Sequence, residues 1–519
     1  MASLIQLRKR IVSIFQLNGF TIRGDACDFL LDNLKSLEED EREVWLERIT
    51  DYCQKQLLTA PVVEKTLVEA AILDSCRSEV DEEEQLLTVI SAFEVPRFKY
   101  NIDRKKFLPA TTHQPELFCQ PSVKGLFYKE RYTILYQRTL RNKLFHGAAN
   151  DVTQFKLRPV EYLLSTSSKV ENVVLLGLLT QLKEGKFYLE DPSGVVELDL
   201  SETTYHDGLF ADCCFVLAEG SYQDEVFTVQ AIGLPPRENT QVSRVYYGNA
   251  NTFGGPSKES LRNSERLKKI EQKLTESMIV FIADCWLDQP KVLEKLGILF
   301  RGYAHSPPTA FVLMGNFLSS HKGSQHLVAL KEAFTALGEL IGQSPELIKN
   351  SKFVIVPGPT DSPAANILPR PALPELLISG LKSHVKSVIL ATNPCRIQYC
   401  TQEIVVARED LVTKLCRNSV HFPVMKDIGS HFAKTIISQA HLVPLPLNVC
   451  PVYWDFDAGL QLYPCPDVVV VADQHKSFSE YYNNCHVINP GPFSKGEFVF
   501  KVYYPASNEV EDCQIPDDS

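Results

Sequence analysis

No apolar run in the 519-residue chain approaches the roughly 20 residues needed to span a bilayer; the longest candidates, such as Val173–Leu179, are strand-sized. A transmembrane reading is therefore excluded. The 14 cysteines include no C-x-x-C pair, Cys213 and Cys214 are adjacent, and Cys395 and Cys400 are too irregularly placed for a zinc knuckle. The opening Met1-Ala2-Ser3-Leu4 enters an amphipathic pattern without a signal-peptide core, so reduced, mostly buried thiols in the cytosol or nucleus are expected, with no metal and no cofactor. Net positive charge is missing as well. At −11 the chain does not look like a protein that coats duplex nucleic acid. What remains is ordinary for a soluble globular protein: 44% hydrophobic and 23% charged residues, with room for about three domains.

The first eighty residues read as a helical domain. Leu4, Leu7, Ile11, Ile14 and Phe15 share one helical face, and Asn18-Gly19 closes it as a C-cap does. A second helix carries Phe29, Leu30, Leu34 and Leu37. A third runs through Trp45, Ile49 and Tyr52, its acidic start (Glu38 to Glu43) suiting the positive end of the helix dipole. Pro61 opens a fourth, with Val63, Leu67 and Ala70 facing inward.

Residues 81–165 read as a linker. The acidic run Asp81-Glu82-Glu83-Glu84 leads into a segment, Arg97 to Lys143, with eleven basic residues against three acidic ones and eight interleaved aromatics. That mixture suits backbone-plus-stacking contact with single strands. The plainer alternative is a tether that packs its aromatics on neighbouring domains and leaves its charges in water.

Between 166 and 238 the period changes to two. Val173–Leu182, Phe187-Tyr188-Leu189, Val195–Leu200, Cys214–Tyr222 and Val226–Gly233 are five strand candidates, separated by turns at Lys183-Glu184-Gly185 and Asp191-Pro192-Ser193-Gly194. With a helical insert before the fourth strand, near Asp207-Gly208-Leu209-Phe210, they predict an OB-fold barrel. Its strand 2–3 region offers Phe187 and Tyr188 but also Glu190, Asp191, Glu197 and Asp199. Such a face repels phosphates and suits a protein partner, with Glu197 and Asp199 as candidate contacts. Residues 239–275 read as a second linker.

From 276 to 519 apolar strands alternate with amphipathic helices such as Val292–Phe300 and Leu327–Ile341, which implies α/β layers with functional tips at the carboxyl ends of strands. Five tips stand out: Asp284-Cys285-Trp286, Gly315-Asn316, Gly358-Pro359-Thr360-Asp361, Thr392-Asn393-Pro394 and Ala472-Asp473-Gln474-His475. In this order the series resembles the calcineurin-like phosphoesterases, which place D-x-H, G-D, G-N-H-D, a lone H and G-H-x-H there. A two-metal centre needs a bridging carboxylate and several imidazoles to clamp attacking and leaving oxygens. Here Trp286 has no lone pair to give a metal, and Asn316 is a poor bridge. Pro359 and Thr360 replace an Asn-His pair, Asn393 or Pro394 replaces a His, and Asp473 replaces another. Asp284, Asp361 and His475 survive. The expected fold is thus an α+β multidomain chain: an N-terminal helical bundle, an OB-fold barrel and a calcineurin-like α/β sandwich without catalytic activity. Pro-rich loops, including the aromatic one around Trp454, and Tyr399 just after the fourth tip become candidate interface residues.

An OB-fold followed by a phosphoesterase-like domain stripped of its ligands resembles the B-subunits of replicative DNA polymerases, and within them the epsilon branch. The match rests on Phe281-Ile282-Ala283-Asp284-Cys285-Trp286-Leu287-Asp288, Phe253-Gly254-Gly255-Pro256, Leu368-Pro369-Arg370-Pro371, and above all the run from Thr392 to Ile404. The resemblance implies a nuclear, non-catalytic subunit whose OB and phosphoesterase-like domains bind the cysteine-rich C-terminal domain of the catalytic subunit of DNA polymerase epsilon. It also implies an N-terminal domain, similar to the C-terminal part of AAA+ ATPases, that reaches the replicative helicase through GINS. Contact with DNA would come within the complex. The first domain holds no G-x-x-x-x-G-K-[ST] loop, so no ATPase activity is expected of it. Two alternatives stay open: a residual metal-dependent phosphoesterase or nuclease using Asp284 and Asp361, and an OB-fold single-stranded DNA-binding protein.

Overall fold

The computed structural model describes residues 2–35, 42, 45, 46, 49, 50, 52–54, 62–75, 86–110, 114–146, 155–361, 363–423 and 427–516. The acidic starts at Glu38 and Asp81, and Leu37 and Pro61, lie outside them. The chain forms two compact units, one of residues 1–87 with 248–250, the other of the remainder.

In the first unit, helices Ala2–Leu17, Gly24–Leu34 and Lys65–Ser75 and helical residues around Trp45 enclose Ile11, Phe15, Leu30, Leu34, Leu46, Ile49, Val68 and Ala71. The helix expected to open at Pro61 starts later, at Lys65. The β-branched pair Val62–Val63 is instead extended and pairs in parallel with Thr21–Ile22. Within the helix the fully buried residues are Val68 and Ala71, one position on from the expected Leu67 and Ala70, which are half-buried.

The second unit contains the barrel. Strands Val170–Lys183, Lys186–Asp191, Gly194–Asp199, Phe215–Gln223 and Val226–Gly233 pair antiparallel with one another, except that the last closes the barrel in parallel on the third (Val226 opposite Glu197, Thr228 opposite Asp199). This is OB-fold connectivity. Gly220 lets two strands approach: a Cβ there would lie 2.1 Å from the Thr228 carbonyl oxygen. The expected helical insert is absent. Phe210–Ala211 pairs with Ser419–His421, and the covering helix, Ile428–Gln439, comes from far along the chain. Gly208 N–H donates to His431 Nδ1 (3.0 Å), Leu209 N–H to Thr435 Oγ1 (2.8 Å), and Phe215 N–H to Gln439 Oε1 (2.8 Å).

Beyond the barrel lie two six-stranded sheets. In the first, Val388–Leu390, Lys352–Val356, Ala310–Met314 and Ile279–Ala283 run parallel, followed by antiparallel Val499–Tyr504 and Glu509–Gln514. Helices Pro290–Tyr303 and His326–Gly342 bury Leu296, Phe300, Phe334 and Leu337 with this sheet. The second has the order Phe478–Tyr482, Cys485–Asn489, Val468–Ala472, Gln402–Arg408, Cys395–Tyr399, Leu87–Ser91.

The stretch that reads as a linker is the largest departure. It supplies that edge strand, the hairpin Phe98–Asn101 with Lys106–Pro109, and the 20-residue helix Ser122–Arg141. Its aromatics pack on the barrel and on Tyr247 and Tyr463: Phe107 stacks on Tyr247 at 4.7 Å, and Ile134 and Leu135 join Leu176, Leu178 and Phe215. Three of its arginines are engaged internally too. Arg131 is paired with Asp457, Arg138 donates to the Ile437 and Ser438 carbonyls in the last turn of helix Ile428–Gln439, and Arg141 binds Glu238 (2.7 Å). Cations at a helix C-terminus and opposite buried carboxylates are held by attraction, so neither a solvated tether nor a base-stacking strip describes this segment. The second expected linker also carries structure. Helices Thr240–Val245 and Glu265–Lys273 form, Phe253 is buried, and Glu271 accepts from Thr401 Oγ1 (2.7 Å). No described cysteine is in a disulfide, and no described helix is long and apolar enough to cross a membrane.

Candidate functional site

The strand tips converge as their order predicts, but around an arginine. Gln402–Arg408 ends beside Ile279–Ala283, Ala310–Met314 and Val468–Ala472, and Arg408 is fully buried there. Its Nη2 donates to both oxygens of Asp284 (2.9 and 3.1 Å). Nε donates to the Gly315 carbonyl (2.6 Å), and Nη1 to Asp410 (2.9 Å) and the Ala472 carbonyl (3.3 Å). Burial alone would lower the guanidinium pKa; Asp284 and Asp410 outweigh it and hold the group above its ordinary range.

The other expected positions are occupied in the same way. Asp284 also accepts from Asn316 N–H (2.9 Å). Asp361 is fully buried and accepts from the N–H groups of Phe317 (2.9 Å) and Gly358 (2.8 Å); burial pushes its carboxyl up to about 6 against those two bonds. Asn316 Oδ1 accepts from Thr360 N–H (3.0 Å), while the Thr360 side chain is exposed and Pro359 half-buried. Asn393 is engaged at both ends of its amide: Nδ2 donates to the Pro357 and Arg408 carbonyls (2.9 and 2.6 Å), and Oδ1 accepts from Arg408 N–H (3.0 Å). Asp473 accepts from Val412 and His475 N–H groups (2.9 and 2.8 Å), and burial, with Asp410 nearby, raises it to about 6. Half-buried His475 turns Nδ1 toward the Lys476 carbonyl (3.1 Å), and Trp286 lies under Lys495 at 5.6 Å. The backbone is shaped to this packing. A Cβ on Gly315 would lie 1.8 Å from Asp361 Oδ2, and one on Gly358 would lie 2.4 Å from Asn316 Oδ1.

A pair of divalent ions does not fit these residues. The first-tip carboxylate already faces a guanidinium, the amide and carboxylate oxygens of the other tips accept backbone N–H groups, and Trp286 supplies no lone pair. Arg408 stands outside the ligand positions of the tip series. Its signal is nonetheless in the sequence: Ile404–Ala407 is one more apolar run ending in a polar tip, Arg408-Glu409-Asp410.

The expected interface residues part company. Tyr399 is 1% exposed. Its strand lies between two others and every residue of it is buried, so alternation brings no side chain outward, and Tyr399 belongs to the core. Glu197 and Asp199 are half-buried on the barrel; Lys186 Nζ donates to Glu197 (2.6 Å), and Asp199 accepts from Ser201 N–H (3.0 Å). Trp454 is half-buried and begins the turn Trp454–Leu460, whose Asp455 and Asp457 bind Arg97 and Arg131.

Three family descriptions match the chain: DNA polymerases epsilon N terminal over residues 3–75, the OB-fold domain of DNA polymerase epsilon subunit 2-like proteins over 121–236, and the B-subunits of DNA polymerases alpha and epsilon over 279–480. The human protein named DNA polymerase epsilon subunit 2 is 48% identical over 98% of this chain and 99% of its own. The chain belongs to that family. The Drosophila melanogaster member is 46% identical over 99% of both chains. The protein is thus an accessory subunit of DNA polymerase epsilon, and the second family match takes in helix Ser122–Arg141, an element that reads as linker in the sequence alone. A solved archaeal phosphodiesterase aligns with 46% of this chain and 99% of its own at 14% identity and a TM-score of 0.26, too slight a likeness to carry argument.

Proposed function

We propose that this subunit is a nuclear, non-catalytic scaffold of the polymerase. Its OB barrel and calcineurin-like sandwich together receive the cysteine-rich C-terminal domain of the catalytic subunit, and its N-terminal helical unit connects that assembly to the replicative helicase through GINS. The observation that carries the reading is the shared interior of barrel and sandwich. Leu175, Val216 and Phe227 of the barrel lie in one apolar cluster with Phe432, Ile436, Val469 and Val471 of the layered region. Two domains so fused present one rigid composite surface, as a large stable interface requires. Residual phosphoesterase chemistry is disfavoured by the engagement of the tip carboxylates and amides with protein donors. Single-strand binding through the basic segment is disfavoured because its aromatics, exposed Phe118 apart, are buried or half-buried, although Arg104 and Lys105 stay exposed for DNA contact inside the complex.

On the barrel and its neighbouring loop, Glu197, Asp199 and Trp454 are the contacts to test. In co-purification with the catalytic subunit, Glu197→Lys/Asp199→Lys/Trp454→Ala in the full chain should lose most of the recovered partner while unfolding at the wild-type temperature. Charge reversal at exposed Arg8 and Lys9 should spare that partner and weaken GINS capture. If the two sets of variants exchange phenotypes, the interfaces are assigned the wrong way round.

A further inference from the structure

We infer that Arg408 has taken the place of the metal ions: its guanidinium is a resident cation that ties the strand tips together and excludes divalent metal by occupying their site. A guanidinium has five N–H donors. Four acceptor groups are engaged here: Nε donates to the Gly315 carbonyl, Nη1 to Asp410 and the Ala472 carbonyl, and Nη2 reaches both oxygens of the Asp284 carboxylate. Those acceptors lie at or just beyond the ends of four strands of two different sheets. The partners reached are the kind a hard divalent cation would take, two carboxylates and two carbonyl oxygens.

Residues that no longer ligate metal serve the arginine instead. Asn393, where an imidazole was expected, grips both the N–H and the carbonyl of Arg408, and Arg370 reaches the same carbonyl (3.4 Å). Asn316 directs its N–H onto the Asp284 carboxylate that faces the guanidinium. Asp284 is thereby explained without catalysis: it is the counter-ion of a buried cation, and an unpaired charge of either sign would be strongly disfavoured at this depth. Lysine could not substitute, because a compact ammonium with three donors cannot reach four acceptor groups as the forked guanidinium does.

The inference rests on the non-catalytic reading, and its failure looks different: metal-dependent hydrolysis by the wild-type chain would sink that reading, whereas the present test concerns stability and metal response. Thermal unfolding of the full chain would be followed with EDTA and with Mn²⁺ at about 1 mM, enough for a weak oxygen-ligand site. In EDTA, Arg408→Ala should unfold about 5–10 °C below wild type. Mn²⁺ should restore a measurable part of that loss in Arg408→Ala and do nothing for wild type. The response should vanish in Arg408→Ala/Asp284→Asn. Should Arg408→Ala fail to fold, Arg408→Lys decides: a melting temperature below wild type supports the guanidinium's hold on four acceptor groups, and one equal to wild type overturns it. Equal melting of wild type and Arg408→Ala in EDTA, or an equal Mn²⁺ response in both, also overturns it.

Discussion

Replacing Arg131 with Met should invert the pH dependence of stability in the second unit. Arg131 and Asp457 are 6% and 5% exposed, with Nε donating to Oδ2 at 3.1 Å and a second, shorter bond from Nη2 to Oδ1. His441 completes the group: Nδ1 accepts from Val443 N–H (3.0 Å), which leaves Nε2–H to donate to Asp457 Oδ1 (3.2 Å). The imidazole is therefore neutral. Burial and, next, Arg131 lower its pKa, while Asp457 is held well below the carboxylate range because Arg131 and His441 outweigh its burial. In the wild type, a lowered His441 pKa means that the unfolded chain binds the proton more readily, so this group costs stability as pH falls below about 6.5.

Arg131→Met removes the guanidinium that lies over the Phe127 ring and leaves the buried Asp457 carboxylate with His441 as its hydrogen-bonded partner. Breaking a buried pair from one side costs about 3–5 kcal/mol, expected in full at pH 8. With the cation gone and Asp457 unneutralised, His441 becomes the counter-ion and its pKa rises above the unfolded value. Its contribution is then present below about pH 6.5 and lost as pH rises through the folded pKa. Each pKa unit is worth about 1.4 kcal/mol, so the deficit should shrink by about 1–2 kcal/mol between pH 8 and pH 6. Urea unfolding followed by near-UV circular dichroism at both pH values measures it. A deficit that is constant, or that grows on acidification, refutes the assignment of His441 as the latent partner. Arg131→Met/His441→Gln should abolish the recovery.

With Mn²⁺ or Mg²⁺ present, the purified chain should hydrolyse neither phosphodiesters nor phosphomonoesters above the no-protein control; turnover that disappears in Asp284→Ala would contradict this. Gly315→Ala should lower stability by more than about 3 kcal/mol, because a methyl 1.8 Å from Asp361 Oδ2 cannot be accommodated without moving a buried carboxylate; a thermal midpoint near wild type would show that the tip yields easily. In contrast, Gly125→Ala, within helix Ser122–Arg141 and with nothing inside 4 Å of its Cβ, should stabilise the protein by about 0.5–1 kcal/mol in the same melt. Limited proteolysis should leave residues 122–141 uncut in the native protein, where a tether would have been cleaved first; early cleavage there, read by mass spectrometry, would restore the linker reading.

The barrel was legible because its information is local. Period-two alternation marks the strands, and the turns carry their own chemistry: Gly185 sits at φ 76°, and Asp191 Oδ1 accepts from the N–H groups of Ser193 and Gly194. The strand tips were legible for the same reason, each being an apolar run that stops at a polar residue. What stayed hidden depended on partners far along the chain. Arg97 finds Asp455 and Arg131 finds Asp457 across more than 300 residues, and nothing near either arginine distinguishes a charge destined for water from one destined for a carboxylate. Read alone, the basic segment looks like a nucleic-acid strip or a solvated tether, and the acids of the Trp454–Leu460 turn look like a surface loop. Paired, they are two halves of one buried junction, and they change what net charge can mean here. Arg97, Arg131, Arg138 and Arg141 are spent inside the unit, so any contact of this segment with DNA draws on the basic residues left outside, chiefly Lys99, Arg104, Lys105, Lys124, Lys129 and Lys143. Arg408 follows the same logic at the strand tips. A buried arginine is decided by the acceptors that the fold brings to it, and those come from tips that are neighbours only after both sheets have formed.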